Sequence, residues 1–444
     1  MAVIKPFKGL LYNMGLVGKI EDVVAPPYDV ITLGEQYKLY QKHLKNIIRL
    51  ILGREYKTDC KENNRYTRAK RLFEKWQKDG VLLQDEKPSF YYYTQEYSLS
   101  EGIILKRKGF IALLKIADFD EGIVLRHEKT LSQPLGDRVN LIKECRANFS
   151  PIFMLYSDRK GKIAEHFNTF VKGESYFDFT DMDGVTHRLW KIDNEKLISD
   201  IKRLFRRKVL IIADGHHRYS ASIKFRNYIR KKLRKGVSES SFDYAMVYLT
   251  CMEDKGLSIL PIHRLVHSIK SFEPQTILKK LSLYFNIEIF PFKRKNIEHV
   301  LFGLKKEMSE YIKLNNVFSL YFRSDDRFYL LKAHEDKVHN QLIKSGVSSE
   351  LAKLDIIILH RLIFEKLFGI TKTAQEKQQN IIYVKGDKGF NSIIKRKDYQ
   401  VAFFLNPFSS VDIYKIVRRG EILPQKTTFF YPKIISGFVI NKME

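Results

Sequence analysis

Lys208-Val-Leu-Ile-Ile-Ala-Asp-Gly-His-His-Arg-Tyr-Ser-Ala-Ser222 reads as a buried strand that breaks at Asp214-Gly215 and turns directly into a helix. Val209 to Ile212 are continuously apolar, as in a strand covered on both faces. Asp214 is placed to N-cap the helix, because its carboxylate can accept from free backbone N–H groups. Gly215 allows a tight turn or close approach to a ligand. Ala221, Phe225, Ile229 and Leu233 share one helix face, and Gly236 offers a C-terminal stop. The cluster His216, His217 and Arg218 then falls on the helix N-terminus. There the helix dipole and unpaired N–H groups favour an anion, and a guanidinium can fork onto a phosphate.

A chain of 444 residues with 44% hydrophobic residues can build large cores in more than one domain. No apolar run is long enough to span a bilayer, and Met1 to Phe7 lack the layout of a secretion signal. Cys60, Cys145 and Cys251 are far apart and in no metal-ligand spacing, which points to a reducing cytoplasm. The formal net charge of +27 is compatible with a nucleic-acid partner or with small anionic substrates. The basic residues are spread along the chain, with no RRM, finger or basic-zipper pattern. Composition therefore favours solvated lysine-rich faces over nucleic acid.

In chain order, Asp22 to Ile31 reads as a short apolar strand running into Pro26-Pro27, with Tyr28 and Asp29 in a rigid loop beyond it. Tyr66 to Lys78 has the spacing of an amphipathic helix. Phe90 to Tyr97 and Lys108 to Ile116 read as strands joined across Leu99 to Arg107. Val124 to Thr130, followed by Gly136-Asp-Arg138, gathers charge. His127 and Glu128 can supply a general base or a metal carboxylate, and Arg138 can clamp an anion. A charged surface loop explains the same residues equally well. Phe177 to Trp190 reads as two strands about an Asp-Gly turn. Beyond the opening motif, Phe318 to Phe322 and Phe328 to Leu331 read as paired strands. Leu351 to Phe368 reads as one strongly apolar helix. A mixed α/β fold follows, with an N-terminal α/β domain over 1–292 and a C-terminal α+β region over 293–444.

Several segments together resemble the domain-of-unknown-function 1015 family. They are Pro6 to Gly9, Val24 to Asp29, His127 to Thr130 with Gly136 to Arg138, Ser150 to Phe153, Gly184 to Trp190, Ala213 to Tyr219 and Leu423 to Lys433. Asp214-Gly-His-His-Arg218 is also similar to the signature of the ParB/sulfiredoxin superfamily, whose free-serine kinases carry a closely similar run. That resemblance implies a ParB/sulfiredoxin-like nucleotide-binding core. His216 stands where a sulfiredoxin needs its cysteine, so sulfiredoxin chemistry is not implied.

The same resemblance implies a nucleotide-dependent phosphotransferase acting on a small hydroxy compound such as free serine, with ATP or ADP and Mg²⁺. Asp214, Gly215, His216, His217, Arg218, Arg138 and Lys426 are the candidate nucleotide contacts. Glu128, Asp29, His127 and His217 are the catalytic candidates, and Asp214 and Glu128 the Mg²⁺ candidates. A phosphatase or nucleotide hydrolase would use the same groups with water as acceptor. A nucleotide-binding switch or nucleic-acid-associated protein would use the site without chemistry.

Overall fold

The structure is a computed structural model that describes residues 1–443 apart from 101, 129–131, 234–238, 294, 295, 314 and 387–392. Gly236, Lys129 and Thr130 of the sequence reading lie outside the described residues. The chain divides into two compact units. Unit 1 comprises 1–126, 130–258 and 432–444, and unit 2 comprises 127–129 and 259–431.

Unit 1 is built on a nine-stranded sheet. Its strands are β1 (Ile4–Lys5), β2 (Phe90–Ser100), β3 (Ile103–Lys115), β4 (Val124–Arg126), β5 (Ile152–Tyr156), β6 (Phe177–Thr180), β7 (Thr186–Ile192), β8 (Leu210–Asp214) and β9 (Tyr244–Cys251). They lie in the order β4-β8-β5-β9-β3-β2-β7-β6, with β1 beside β3. The sheet is mixed. Strand β8 runs parallel to β4 and antiparallel to β5, while β9 runs parallel to β5. The apolar run Leu210 to Ala213 is buried, as the sequence pattern requires of a central strand. Beside the sheet lie α1 (Arg65–Lys78), α2 (Ser132–Cys145) and α3 (His216–Lys232). Tyr219 fixes α3 by exchanging two hydrogen bonds with Ala117. Its hydroxyl donates to the Ala117 carbonyl at 2.8 Å and accepts from the Ala117 amide at 3.0 Å.

Two local expectations change in unit 1. Residues before Pro26-Pro27 are not a strand but the short helix Ile20–Val23, and Tyr28–Val30 forms a 3-10 turn. The span Leu99 to Arg107 is not mainly a connection, because β2 and β3 pair almost to their ends, through Ser98↔Ile104. Ile103 and Ile104 are both exposed there, so that end of the hairpin shows no alternation of burial to read.

Unit 2 is organised on a six-stranded antiparallel sheet. Its strands are β10 (Ile262–Val266), β11 (Phe285–Pro291), β12 (Val317–Phe322), β13 (Arg327–Ala333), β14 (Ile381–Lys385) and β15 (Val401–Phe404), in the order β11-β13-β12-β15-β10-β14. Strand β12 shows why both faces are covered. Phe318, Leu320 and Phe322 enter one core, while Val317 and Tyr321 enter the other. The apolar stretch read as one helix over Leu351 to Phe368 is divided. It comprises Ser349–Ala352, Asp355–Ile357 and a π-helix over Ile358–Leu367. No helix among the described residues is long and apolar enough to cross a membrane.

Asp355 opens the middle segment and is buried beside Asn316, whose side-chain amide donates to it. Burial pushes its carboxyl up to about 7, against the hydrogen bonds from Asn316 and the Val317 amide. A carboxyl raised on folding binds its proton more tightly when folded. Its stabilising effect is complete below the unfolded value near 4 and is lost as pH rises to about 7. Asp355→Asn should therefore gain stability over the wild type between about pH 4 and pH 7, by on the order of 4 kcal/mol. Chemical denaturation at several pH values measures this. A gap that stays constant with pH would refute it.

Candidate functional site

Strand β8 ends at Asp214, and Gly215 then takes the left-handed conformation with φ +92° before α3 begins. The expected N-cap role of Asp214 is not what the structure shows. Gly215 occupies the cap position and no side chain caps the helix. The Asp214 carboxylate points instead to two cations. Oδ1 accepts from Lys433 Nζ at 2.6 Å, and Oδ2 accepts from Arg218 Nη2 at 2.6 Å. Burial pushes the Asp214 carboxyl up. The charges of Lys433 and Arg218 and the Lys433 hydrogen bond outweigh that and hold it well below the usual carboxylate range.

Arg218 is held further by donating from Nη1 to the Pro151 carbonyl. Its Nε is buried without a hydrogen-bond partner among the described residues. Lys433 is positioned from its own backbone, because Gln95 Nε2 donates to its carbonyl at 2.8 Å. Arg107, fully buried, donates in turn to Gln95 and to the Pro432 carbonyl. Two cations thus meet one carboxylate at a helix N-terminus. His216, buried in the first turn, and His217, half-buried, continue from it.

Arg138 sits in α2 and is more constrained than an open clamp. Its guanidinium donates from Nε to Asp137 at 2.6 Å and to the Ile51 carbonyl at 2.9 Å, and it lies 3.8 Å from the centre of the Tyr28 ring. Asp137 also accepts from the Tyr66 hydroxyl at 2.8 Å and from Arg65. Burial pushes the Tyr28 phenol up, while Arg138 and Arg218 act against it. Asp29, next to Tyr28, is exposed. A cavity of about 50 Å³ has both Arg138 and Arg218 in its wall, with Ser150 and Ser222. Small-molecule pockets hold roughly 300–1,000 Å³, so this space suits a small anionic group and not a whole nucleotide.

Within unit 1 the structure thus brings together Asp214, Gly215, His216 and Arg218, and places Arg138 and Asp29 on either side of Tyr28. His127, Glu128 and Lys426 belong to unit 2. There the Glu128 carboxylate accepts from the backbone amides of Lys426, Thr427 and Thr428 at 3.3, 3.1 and 3.3 Å. His127 is fully buried, with Nε2 2.8 Å from Thr428 Oγ1. Both carboxylate oxygens of Glu128 and both of Asp214 are therefore engaged, and neither group fits a Mg²⁺ ligand as it stands. Among the described residues, no three or more His, Cys, Asp or Glu side chains form a group able to hold a metal. Lys433 is the site residue that sequence reasoning left out of the turn. Its only signal was its place at the end of the Leu423 to Lys433 motif.

The sequence model of a family described as "Protein of unknown function (DUF1015)" matches residues 4–357. No curated protein matches the chain. Among solved structures, a free serine kinase variant in complex with ADP is similar at a TM-score of 0.33 and 10% identity, over 69% of this chain and 84% of that one. A conserved hypothetical protein from Pyrococcus furiosus is similar at 0.32 and 12%, over 70% and 89% of the two chains. SbnI with a C-terminal truncation, from Staphylococcus aureus, is similar at 0.33 and 11%, over 73% and 85%. Likenesses at this level establish neither the fold nor the activity of this chain.

Gly215 is required twice over. Its φ is +92°, and a Cβ built there would lie 2.8–3.0 Å from the Arg218 guanidinium. Gly215→Ala should therefore destabilise unit 1 by about 1–2 kcal/mol and displace Arg218 from Asp214. Thermal denaturation measures the first effect, and an unchanged melting temperature would contradict it.

Proposed function

The chain belongs to the DUF1015 family, whose description names no activity, and from the geometry of the Asp214 turn we propose that it binds the phosphates of a nucleotide. The proposed activity is phosphoryl transfer to a small hydroxy compound, with free serine the first acceptor to test. The observation that carries the reading is the sharing of one buried carboxylate by Arg218 and Lys433 at an uncapped helix N-terminus. The dipole and the two cations act together on an arriving anion. Arg218 Nε, buried without a partner, is a donor that a phosphate oxygen would satisfy. The ParB/sulfiredoxin-like character of the core is part of this proposal and rests on the Asp214-Gly-His-His-Arg218 motif.

Phosphoryl transfer depends mainly on positioning and charge neutralisation. In the proposed step the acceptor oxygen attacks the terminal phosphorus while its proton passes to Asp29. The bond from that phosphorus to the bridging oxygen breaks, and the leaving phosphate keeps the electron pair. Arg218, Lys433 and the first-turn amides of α3 meet the charge. Asp29 is chosen as base because it is exposed on the turn whose Tyr28 ring lies over Arg138, in the same unit as the cations. His217 supplies a further phosphate contact. No step is assigned to a metal ion, since the oxygens of Asp214 already face cations.

Phosphorus NMR of the full chain with ATP or ADP and serine, or phosphoserine in the reverse direction, tests the reaction. New phosphoserine or ATP resonances are expected. Release of inorganic phosphate alone would replace transfer by hydrolysis, and unchanged spectra across a panel of hydroxy compounds would end the enzymatic reading. Asp29→Ala should lower turnover about 10²–10⁴-fold with nucleotide binding retained. His217→Ala and Lys433→Met should instead weaken nucleotide binding. Nucleotide-induced thermal shifts equal to the wild type in both would sink the phosphate-binding assignment.

A further inference from the structure

Unit 2 contains a second arrangement built for an anion, and its occupant is part of the chain. The loop Pro424-Gln-Lys-Thr-Thr428 is closed by Thr427 Oγ1 donating to the Pro424 carbonyl at 2.6 Å. Lys426 stands in the left-handed region at φ +58°. The loop turns so that three consecutive amides, those of Lys426, Thr427 and Thr428, converge on one carboxylate, that of Glu128, at 3.1–3.3 Å. Successive backbone N–H groups turned inward by a left-handed residue form a concave anion receptor.

The charge around that receptor is not balanced by Glu128. Arg264 is 1% exposed and donates from Nη2 to the Lys426 carbonyl at 2.7 Å. Its Nη1 donates to the Ile262 carbonyl, its Nε is buried without a hydrogen-bond partner among the described residues, and Glu128 acts on it through its field. Burial pulls its guanidinium down to about 10, against the fields of Tyr383 and Glu128. A buried cation is costly, and added negative charge nearby would relieve it. Lys426 contributes a second positive charge to the same loop. The residues just before it, Leu423 to Gln425, wall a cavity of about 240 Å³ together with Arg361, Glu365, Lys372, Glu376 and Tyr383.

We propose that residues 426–428 form a binding site for a phosphomonoester or inorganic phosphate, and that Glu128 is its resident, displaceable carboxylate. A phosphate dianion carries one more charge than Glu128 and can accept from the same three amides. This site is independent of the Asp214 turn, and either assignment can stand without the other.

The test compares the full-length wild type with Glu128→Ala by thermal denaturation in inorganic phosphate and in acetate. Loss of the carboxylate should lower the melting temperature of the variant. Phosphate should restore it saturably, at a half-saturating concentration about tenfold below that for any wild-type response, because the internal competitor is gone. Glu128→Gln, which keeps the side-chain size and removes the charge, gives the same readout if the alanine variant does not fold. Both variants are repeated with Lys433→Met, which disables the Asp214 turn. A phosphate response that persists there assigns it to 426–428, whereas one that disappears overturns the proposal. Equal phosphate responses of wild type and variant, or rescue by acetate alone, would reduce Glu128 to a structural clamp.

Discussion

One carboxylate, Asp214, holds two cations, one close to it in the sequence and one distant. Arg218 is four residues ahead, in the first turn of α3, and Lys433 is 219 residues away near the end of the chain. The strand–turn–helix and the final segment of unit 1 are therefore fastened at one point. Removing one partner from a buried ionic group of this kind costs about 3–5 kcal/mol, because it leaves the other charges buried and uncompensated. The same arrangement sets two cations beside the N-terminus of α3. Stability and anion affinity at this turn thus come from a single group. The backbone must bring Lys433 in at the right depth, and the buried pair Gln95 and Arg107 does this by binding the carbonyls of Lys433 and Pro432.

The strand–turn–helix at 208–222 was legible in the sequence because its signals are local. A continuous apolar run fixes the strand, Gly215 breaks it, and the side chains of Ala221 and Phe225 return to the core. The mixed sheet and the paired strands of unit 2 were legible for the same reason. The destination of the Asp214 side chain was not. Its partner choice depends on Lys433, and no local rule distinguishes an aspartate that caps a helix from one that binds a distant lysine. Reading Asp22 to Ile31 as a strand failed because a short apolar run before prolines suits a single helical turn equally well. The stretch Leu351 to Phe368 looked uniform because apolar content hides a change of helical hydrogen-bonding pattern. Asp355, buried at one of its breaks, was a polar signal within it.

The candidate site was legible as residue types and not as a constellation. His127, Glu128 and Arg138 are near one another in sequence, yet the structure assigns the first two to unit 2 and the third to unit 1. Glu128 had the composition of a general base or metal ligand. In the structure its oxygens accept from three backbone amides of the 426–428 loop. The net charge of +27 was likewise ambiguous. It is the excess of 78 Lys and Arg over 51 Asp and Glu, to which local pairs such as Arg68 with Asp59 and Arg230 with Asp243 add nothing. The informative cations are the few drawn into the interior, namely Arg264, which is buried, and Arg218 and Lys433, which are half-buried.

Lys426 and Gly215 invite a physical comparison. Both have positive φ, and both precede amides that face an anion or an open helix end. Glycine adopts this conformation without cost, whereas a lysine pays about 1–2 kcal/mol for it. A loop serving only to receive the Glu128 carboxylate would fold more readily with glycine at 426. Strain of this kind persists where surrounding contacts over-determine it, here the Arg264 bond to the Lys426 carbonyl and the Thr427 closure onto Pro424. What the lysine adds over a glycine is a cation on a flexible stem in the loop whose amides meet the carboxylate. That addition has little use for a carboxylate already held by three amides, and considerable use for an anion of higher charge.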